Sequence, residues 1–95
     1  VDIDWEYPSG TETSGNPRDW CVSDKMRTTV YANYLDLMKL LREKLDAASS
    51  QDDKKYFLTA AVSASSWVLG GMGLGEYCQY LDFANLMTYD LYGAW

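Results

Sequence analysis

Between residues 26 and 48 the apolar side chains Val30, Tyr34, Leu37, Met38, Leu41, Leu45 and Ala48 recur mostly in steps of three and four. That spacing places them along one face of an α-helix, with Lys39, Arg42, Glu43 and Lys44 mostly on the wet side. Thr28, Thr29 and Ser23 are candidate caps for its start, and Ser49-Ser50-Gln51-Asp52-Asp53 reads as its exit loop. Nothing on this helix suggests chemistry. It constrains the fold through its neighbours, because strand-like runs lie on both sides of it.

Before it, Val1-Asp2-Ile3-Asp4-Trp5-Glu6-Tyr7 alternates apolar and acidic residues, the period-2 pattern of a strand, and Pro8 ends the run. After it, Tyr56 to Ala64 is a nearly continuous apolar run, fit for a strand buried on both faces. Its alanines leave space that suits a strand beneath a cleft. Glu76 to Leu81 reads as a short helical turn, and Phe83 to Leu91 as a third strand. Two loops interrupt this order: Ser9 to Asp24, containing Trp20, and Ser65 to Gly75, containing Trp67. Loops as long as the first are usually functional or disordered. The Trp20 ring is either a stacking platform in a carbohydrate-binding cleft or an anchor that pins the loop to the body. Strand, helix, strand, short helix, strand, with connections too long for hairpins, predicts parallel strands in an α/β sheet or barrel. Sites in such folds form at the C-terminal ends of strands, where Glu6 and Tyr89-Asp90 lie. Three strands cannot close a barrel of eight, so the chain reads as one partial domain, 1–95, taken from a longer protein.

On a strand, Asp2, Asp4 and Glu6 share one face at intervals of roughly 6.5–7 Å. Like charges repel and carboxylates are costly to bury, so an ordinary half-buried strand does not carry such a file. Three readings stay open from spacing alone. The acids hold a shared proton for general acid/base work, bind a hard divalent cation, or are satisfied structurally by Arg or backbone donors. Tyr89-Asp90, a phenol and a carboxylate at another strand end, favours the first. The formal charge of −6 argues against nucleic-acid and anionic-membrane partners. No apolar run approaches the roughly 18–20 residues of a membrane span, and no signal peptide opens the chain. Cys21 and Cys78 form no metal or redox motif, and a bridge between them is left open.

Asp2-Ile3-Asp4-Trp5-Glu6-Tyr7-Pro8 resembles the fourth-strand signature of the family-eighteen chitinases, Asp-x-x-Asp-x-Asp-x-Glu, whose first Asp would fall before Val1. Asn85 to Trp95 resembles the sixth-strand Met-x-Tyr-Asp segment of the same family, and order and spacing agree over essentially all 95 residues. The third-strand Ser-x-Gly-Gly motif is not in this stretch. The resemblance implies a (β/α)8 TIM barrel, of which these residues are a central segment of about three strands and two helices. It implies retaining cleavage of β-1,4-linked N-acetylglucosamine, a secreted protein, a chitin or chito-oligosaccharide substrate, and neither cofactor nor metal. Glu6 then matches the general acid, Asp4 the acid that orients the 2-acetamido group, and Asp2 the deeper acid that sets the charge of Asp4. Tyr89 matches the phenol that holds the acetamido carbonyl. Asp90, Met87, Tyr7 and Trp95 match substrate-binding positions, Trp95 on the product side. Two acids in file on one strand cannot easily bracket a sugar at the 5–5.5 Å separation of an ordinary retaining pair, whereas an acetamide nucleophile removes that demand. A catalytically inactive chitin-binding lectin and an endo-β-N-acetylglucosaminidase acting on glycoprotein glycans are the alternatives on the same barrel. Relatives of the lectin kind typically replace the terminal Glu, which is present here as Glu6.

Overall fold

A computed structural model describes residues 1–8, 27–64 and 75–94. Three strands, β1 (Asp2–Ile3), β2 (Thr59–Ser63) and β3 (Phe83–Met87), form one sheet in the order β1-β2-β3. Both pairings are parallel, with Asp2 opposite Thr59 and, on the other side, Thr59 opposite Phe83 through to Ser63 opposite Met87. A long helix, α1 (Arg27–Asp52), lies between β1 and β2 in the chain, and a 3-10 turn (Glu76–Tyr80) lies between β2 and β3. The expected alternation and parallel sense are therefore present. The loops that carry Trp20, Cys21 and Trp67 lie outside the described residues, as does Trp95. Among the described residues no helix is long and apolar enough to cross a membrane.

The sheet has two unlike faces. In a parallel pairing, opposite residues share a face, so Ile3, Ala60 and Val62 lie together on the side packed against α1. Tyr31, Tyr34 and Met38, spaced by three and four along α1, close over Leu58, Ala60 and Val62 with Tyr77 of the 3-10 turn. The rings of Tyr34 and Tyr77 meet edge to face, with centroids 5.5 Å apart at 77°. Burial pushes the Tyr34 phenol up to about 12. Met38 is fully buried, which stabilises the pairing of helix and sheet by roughly 1.5–3 kcal/mol. Leu37, expected on the buried face, is instead 43% exposed. The helix face turned to the sheet is centred on Tyr31, Tyr34 and Met38, and Leu37 sits to one side, lining an apolar groove with Trp5, Val30, Asn33 and Tyr34.

Element ends also depart from the sequence expectations. The helix runs on through Ser49, Ser50 and Gln51 to Asp52, where an exit loop was expected. Ser50 Oγ donates to the Asp46 carbonyl within the helix, so the serines do not break it. The chain turns at Asp53, whose φ of 51° is left-handed, and Lys54 N–H donates to the Ser49 carbonyl at 3.1 Å. This is the six-to-one bond of a Schellman cap, with Asp in the place glycine usually takes. Gly75, at φ 63°, supplies the left-handed residue that opens the 3-10 turn. Tyr56 and Phe57 precede β2 rather than belonging to it, and β3 stops at Met87 instead of Leu91, with Asp90 turned to φ 55°.

One clamp fixes helix to sheet at the N-terminal ends of the strands. Asp82, just before β3, accepts Leu58 N–H at 2.9 Å while its own N–H donates to the Leu58 carbonyl at 2.8 Å. Arg42 of α1 donates to Asp82 at 2.9 Å and to the Tyr56 carbonyl at 3.1 Å, and it also pairs with Asp46 at 2.6 Å. Lys55 adds a second cationic contact to Asp82 at 3.2 Å. The Leu58 amide, assisted by Lys55 and Arg42 and opposed by desolvation, holds the Asp82 carboxyl below its ordinary range.

Candidate active site

The face of the sheet away from α1 carries Asp2, Thr59, Ala61, Ser63, Phe83, Asn85 and Met87. It is polar or small through β2, because a strand that must underlie an open space cannot fill it with large side chains. At its lower end Asp2 Oδ1 accepts a short hydrogen bond from Thr59 Oγ1. Asp2 is therefore tied to the neighbouring strand, by a side-chain hydroxyl and not by an Arg or backbone donor. Pairing of β1 as a strand stops after Ile3, and the chain continues through Asp4, which is exposed, to Glu6, which is half-buried. Trp5 turns to the helix side, into the groove beside Tyr34. The alternation read from the sequence thus holds for Trp5 against Glu6.

At the C-terminal ends of the strands lies a cavity of about 390 Å³. Glu6 and Tyr7 line it from the end of β1, Ser63 from the end of β2, and Met87, Tyr89, Asp90 and Leu91 from β3 and the turn beyond it. Five of the sequence-derived candidates, Glu6, Tyr7, Met87, Tyr89 and Asp90, thus face one space. Asp4 and Asp2 are not among the lining residues, and Trp95 lies outside the described residues. The peptide joining Glu6 to Tyr7 is cis, and both side chains line the cavity. The Tyr7 phenol shares the cavity wall with Glu6 and Ser63. Burial pushes that phenol up to about 12, the Glu6 carboxylate pushes the same way, and Ser63 opposes them.

Ser63 and Leu91 were not singled out by sequence reasoning. Ser63 belongs to no motif, but the small and polar residues at alternate positions 59, 61 and 63 are a signal that one face of β2 is not packed. Among the described residues no Lys or Arg side chain pairs with Asp2, Asp4, Glu6 or Asp90. No group of three His, Cys, Asp or Glu among those residues is placed to hold a metal ion. Cys78, on the 3-10 turn, is an exposed free thiol away from the cavity. Two carboxyl groups and two phenols around one cavity can donate and accept protons and hold a neutral polar ligand.

The chain is similar to known proteins in sequence and in backbone. The chain is 42% identical over 95 residues to chitinase A1 of Niallia circulans, covering 100% of this chain and 12% of that protein. A family 18 chitinase of Chromobacterium violaceum superposes with a TM-score of 0.90 at 46% identity, over 100% of this chain and 14% of the other. A family 18 N-acetylglucosaminidase from Paenibacillus barengoltzii superposes with a TM-score of 0.72 at 35% identity, over 98% of this chain and 25% of the other. The chain thus spans a small fraction of the length of each. With residues 1–95 also matching the model of the glycosyl hydrolases family 18 throughout, the chain belongs to that family.

Proposed function

We propose that these residues are the central part of a (β/α)8 barrel that hydrolyses β-1,4-linked N-acetylglucosamine polymers with retention, using the substrate's own acetamide as nucleophile. One observation carries the reading: Glu6 faces Tyr89 and Asp90 across one cavity at the C-terminal ends of parallel strands, in a chain of family 18. That end of the strands is where barrel enzymes build their sites. The protein is placed outside the cell, where its polymeric substrate lies.

In the first step the Glu6 carboxyl gives its proton to the glycosidic oxygen as the bond to the anomeric carbon breaks. The acetamido carbonyl oxygen attacks that carbon from the other face and forms an oxazolinium ion. Asp4 orients the acetamide and stabilises the positive charge as it develops, with Asp2 behind it. The Tyr89 phenol donates to the acetamido carbonyl and holds it in line, while Asp90, Met87, Tyr7 and Trp95 position the sugars. In the second step the Glu6 carboxylate takes a proton from water, which attacks the anomeric carbon and reopens the ring. Two displacements restore the starting configuration, and Glu6 ends protonated. The presence of Glu6 speaks for the enzyme over a lectin on the same barrel.

The test is substrate chemistry. In the full-length protein, N-acetylated chito-oligosaccharides should be cleaved with retention, and fully deacetylated chitosan should not be cleaved. Rapid turnover of the deacetylated polymer would show that no acetamide is needed and would sink the mechanism.

A further inference from the structure

We propose that Leu91 is a substrate-binding residue of the cavity, the apolar wall against which the carbon face of a sugar ring is laid. The inference rests on the sugar polymer proposed above as substrate, and it adds a residue beyond the Met-x-Tyr-Asp motif, which ends at Asp90.

β3 stops at Met87, and Tyr89, Asp90 and Leu91 follow it outside any strand. Had the strand run on, its alternation would have put Met87, Tyr89 and Leu91 on one face and Asp90 on the other. All four instead line one cavity. The backbone supplies the reason, because Asp90 is left-handed, with φ 55°. Among residues other than glycine, Asp and Asn enter that conformation most readily. A turn there breaks the alternation, and the three consecutive side chains of Tyr89, Asp90 and Leu91 reach the same space. A carboxylate and a branched apolar side chain therefore stand next to each other on one wall.

Such a pair suits a pyranose. The ring carries hydroxyls around its rim and C–H groups on its face, so it calls for a polar contact and an apolar one close together. Asp90 has no Lys or Arg partner among the described residues, which leaves its carboxylate to accept from hydroxyls. Leu91 and Met87 alone among the described lining residues have neither a hydroxyl nor a carboxyl group. Met87 is half-buried at the end of β3, whereas Leu91 is 65% exposed. A ligand that covers Leu91 removes apolar surface from water, and the gain is proportional to the area covered. The contact involves no charge, so it is made equally by bound substrate and transition state. It lowers KM and leaves kcat alone.

The test uses the full-length protein with Leu91→Ala, Leu91→Asn and Leu91→Met, and a soluble chito-oligosaccharide as the probe. Leu91→Ala should raise KM about 5- to 10-fold, with kcat within about twofold of the parent's. Leu91→Asn, close in size but polar, should raise KM at least as much. Leu91→Met, apolar and of similar volume, should restore KM to within about twofold of the parent's. On the Glu6→Gln background, Leu91→Asn should weaken binding by the same factor in titration calorimetry. Its heat-capacity change on binding should also be less negative, since less apolar surface is covered. A packing role would not move that quantity. Unchanged KM and affinity in Leu91→Ala and Leu91→Asn overturn the inference, as does a loss confined to kcat, or a KM raised equally by Leu91→Met. A parent that neither binds nor cleaves the oligosaccharide would instead overturn the proposed function, and this inference with it.

Discussion

The two ends of the sheet use the same kind of side chain in opposite ways. At the N-terminal ends of the strands Asp82 is surrounded by donors: the Leu58 amide, Arg42 and Lys55. At the C-terminal ends Glu6 and Asp90 face a cavity with phenols beside them and no described cation. An acid whose lone pairs are already occupied contributes to holding the fold and has nothing left to offer a substrate. An acid without a cation keeps its proton chemistry available, at the expense of stability. The lesson is that an acidic residue in this chain is classified by its partners, not by its type.

The comparison can be broken from either side. The largest expected effect is at the C-terminal rim. Glu6→Gln in the full-length protein should lower kcat by about 10²- to 10⁴-fold. Its melting temperature should stay within a degree or so of the parent's, since no described partner of Glu6 is a cation. A large loss of melting temperature would mean that the two rims are not distinct. Next comes the opposite rim. Asp82→Asn should lower the melting temperature by a few degrees while kcat and KM stay near the parent's, which thermal melts and initial rates will show together.

The smallest effect sharpens the comparison through pH. The Asp82 carboxyl is held below its ordinary value of 3.8 in the folded protein. Above pH 3.8 the folded state therefore has the full benefit of the charged clamp, and the benefit is lost as pH falls through the lower folded value. Below both values the group is protonated in either state and contributes nothing. The stability difference between the parent and Asp82→Asn should accordingly be constant near neutrality and close at acid pH. Melts at stepped pH check it; a difference that persists at the most acid pH would remove the electrostatic account of the clamp.

The two rims were also unequally legible in the sequence. Glu6, Tyr7, Met87, Tyr89 and Asp90 could be named because each strand's contribution is contiguous, and because alternation states which residues share a face. Their meeting followed from the parallel order of strands, which the helix between them required. Asp82 could not be found that way. Its partners Leu58 and Arg42 lie 24 and 40 residues away, and no periodic pattern links them. Ser63 was missed for the related reason that small and polar residues at positions 59, 61 and 63 mark an unpacked face without naming what lies over it. Leu37 was misplaced because periodicity defines a stripe but not its centre. The burial of Tyr31 and Tyr34, which sets the centre, depends on where Leu58 and Val62 lie beneath them. The helix outlasted its expected end because serine was read as a breaker, whereas its hydroxyl bonds back into the turn before it.

β3 lies at one side of the three described strands, paired on one side only, with Phe83 54% and Leu86 58% exposed. A parallel strand with one open edge is a template for another. In the longer barrel proposed above, synthesis proceeds from the N-terminus, so β1 and β2 are made before β3 and can register it as it emerges. Any strand made later meets β3 already aligned and adds to its free edge. The order of translation is in this sense an order of templating.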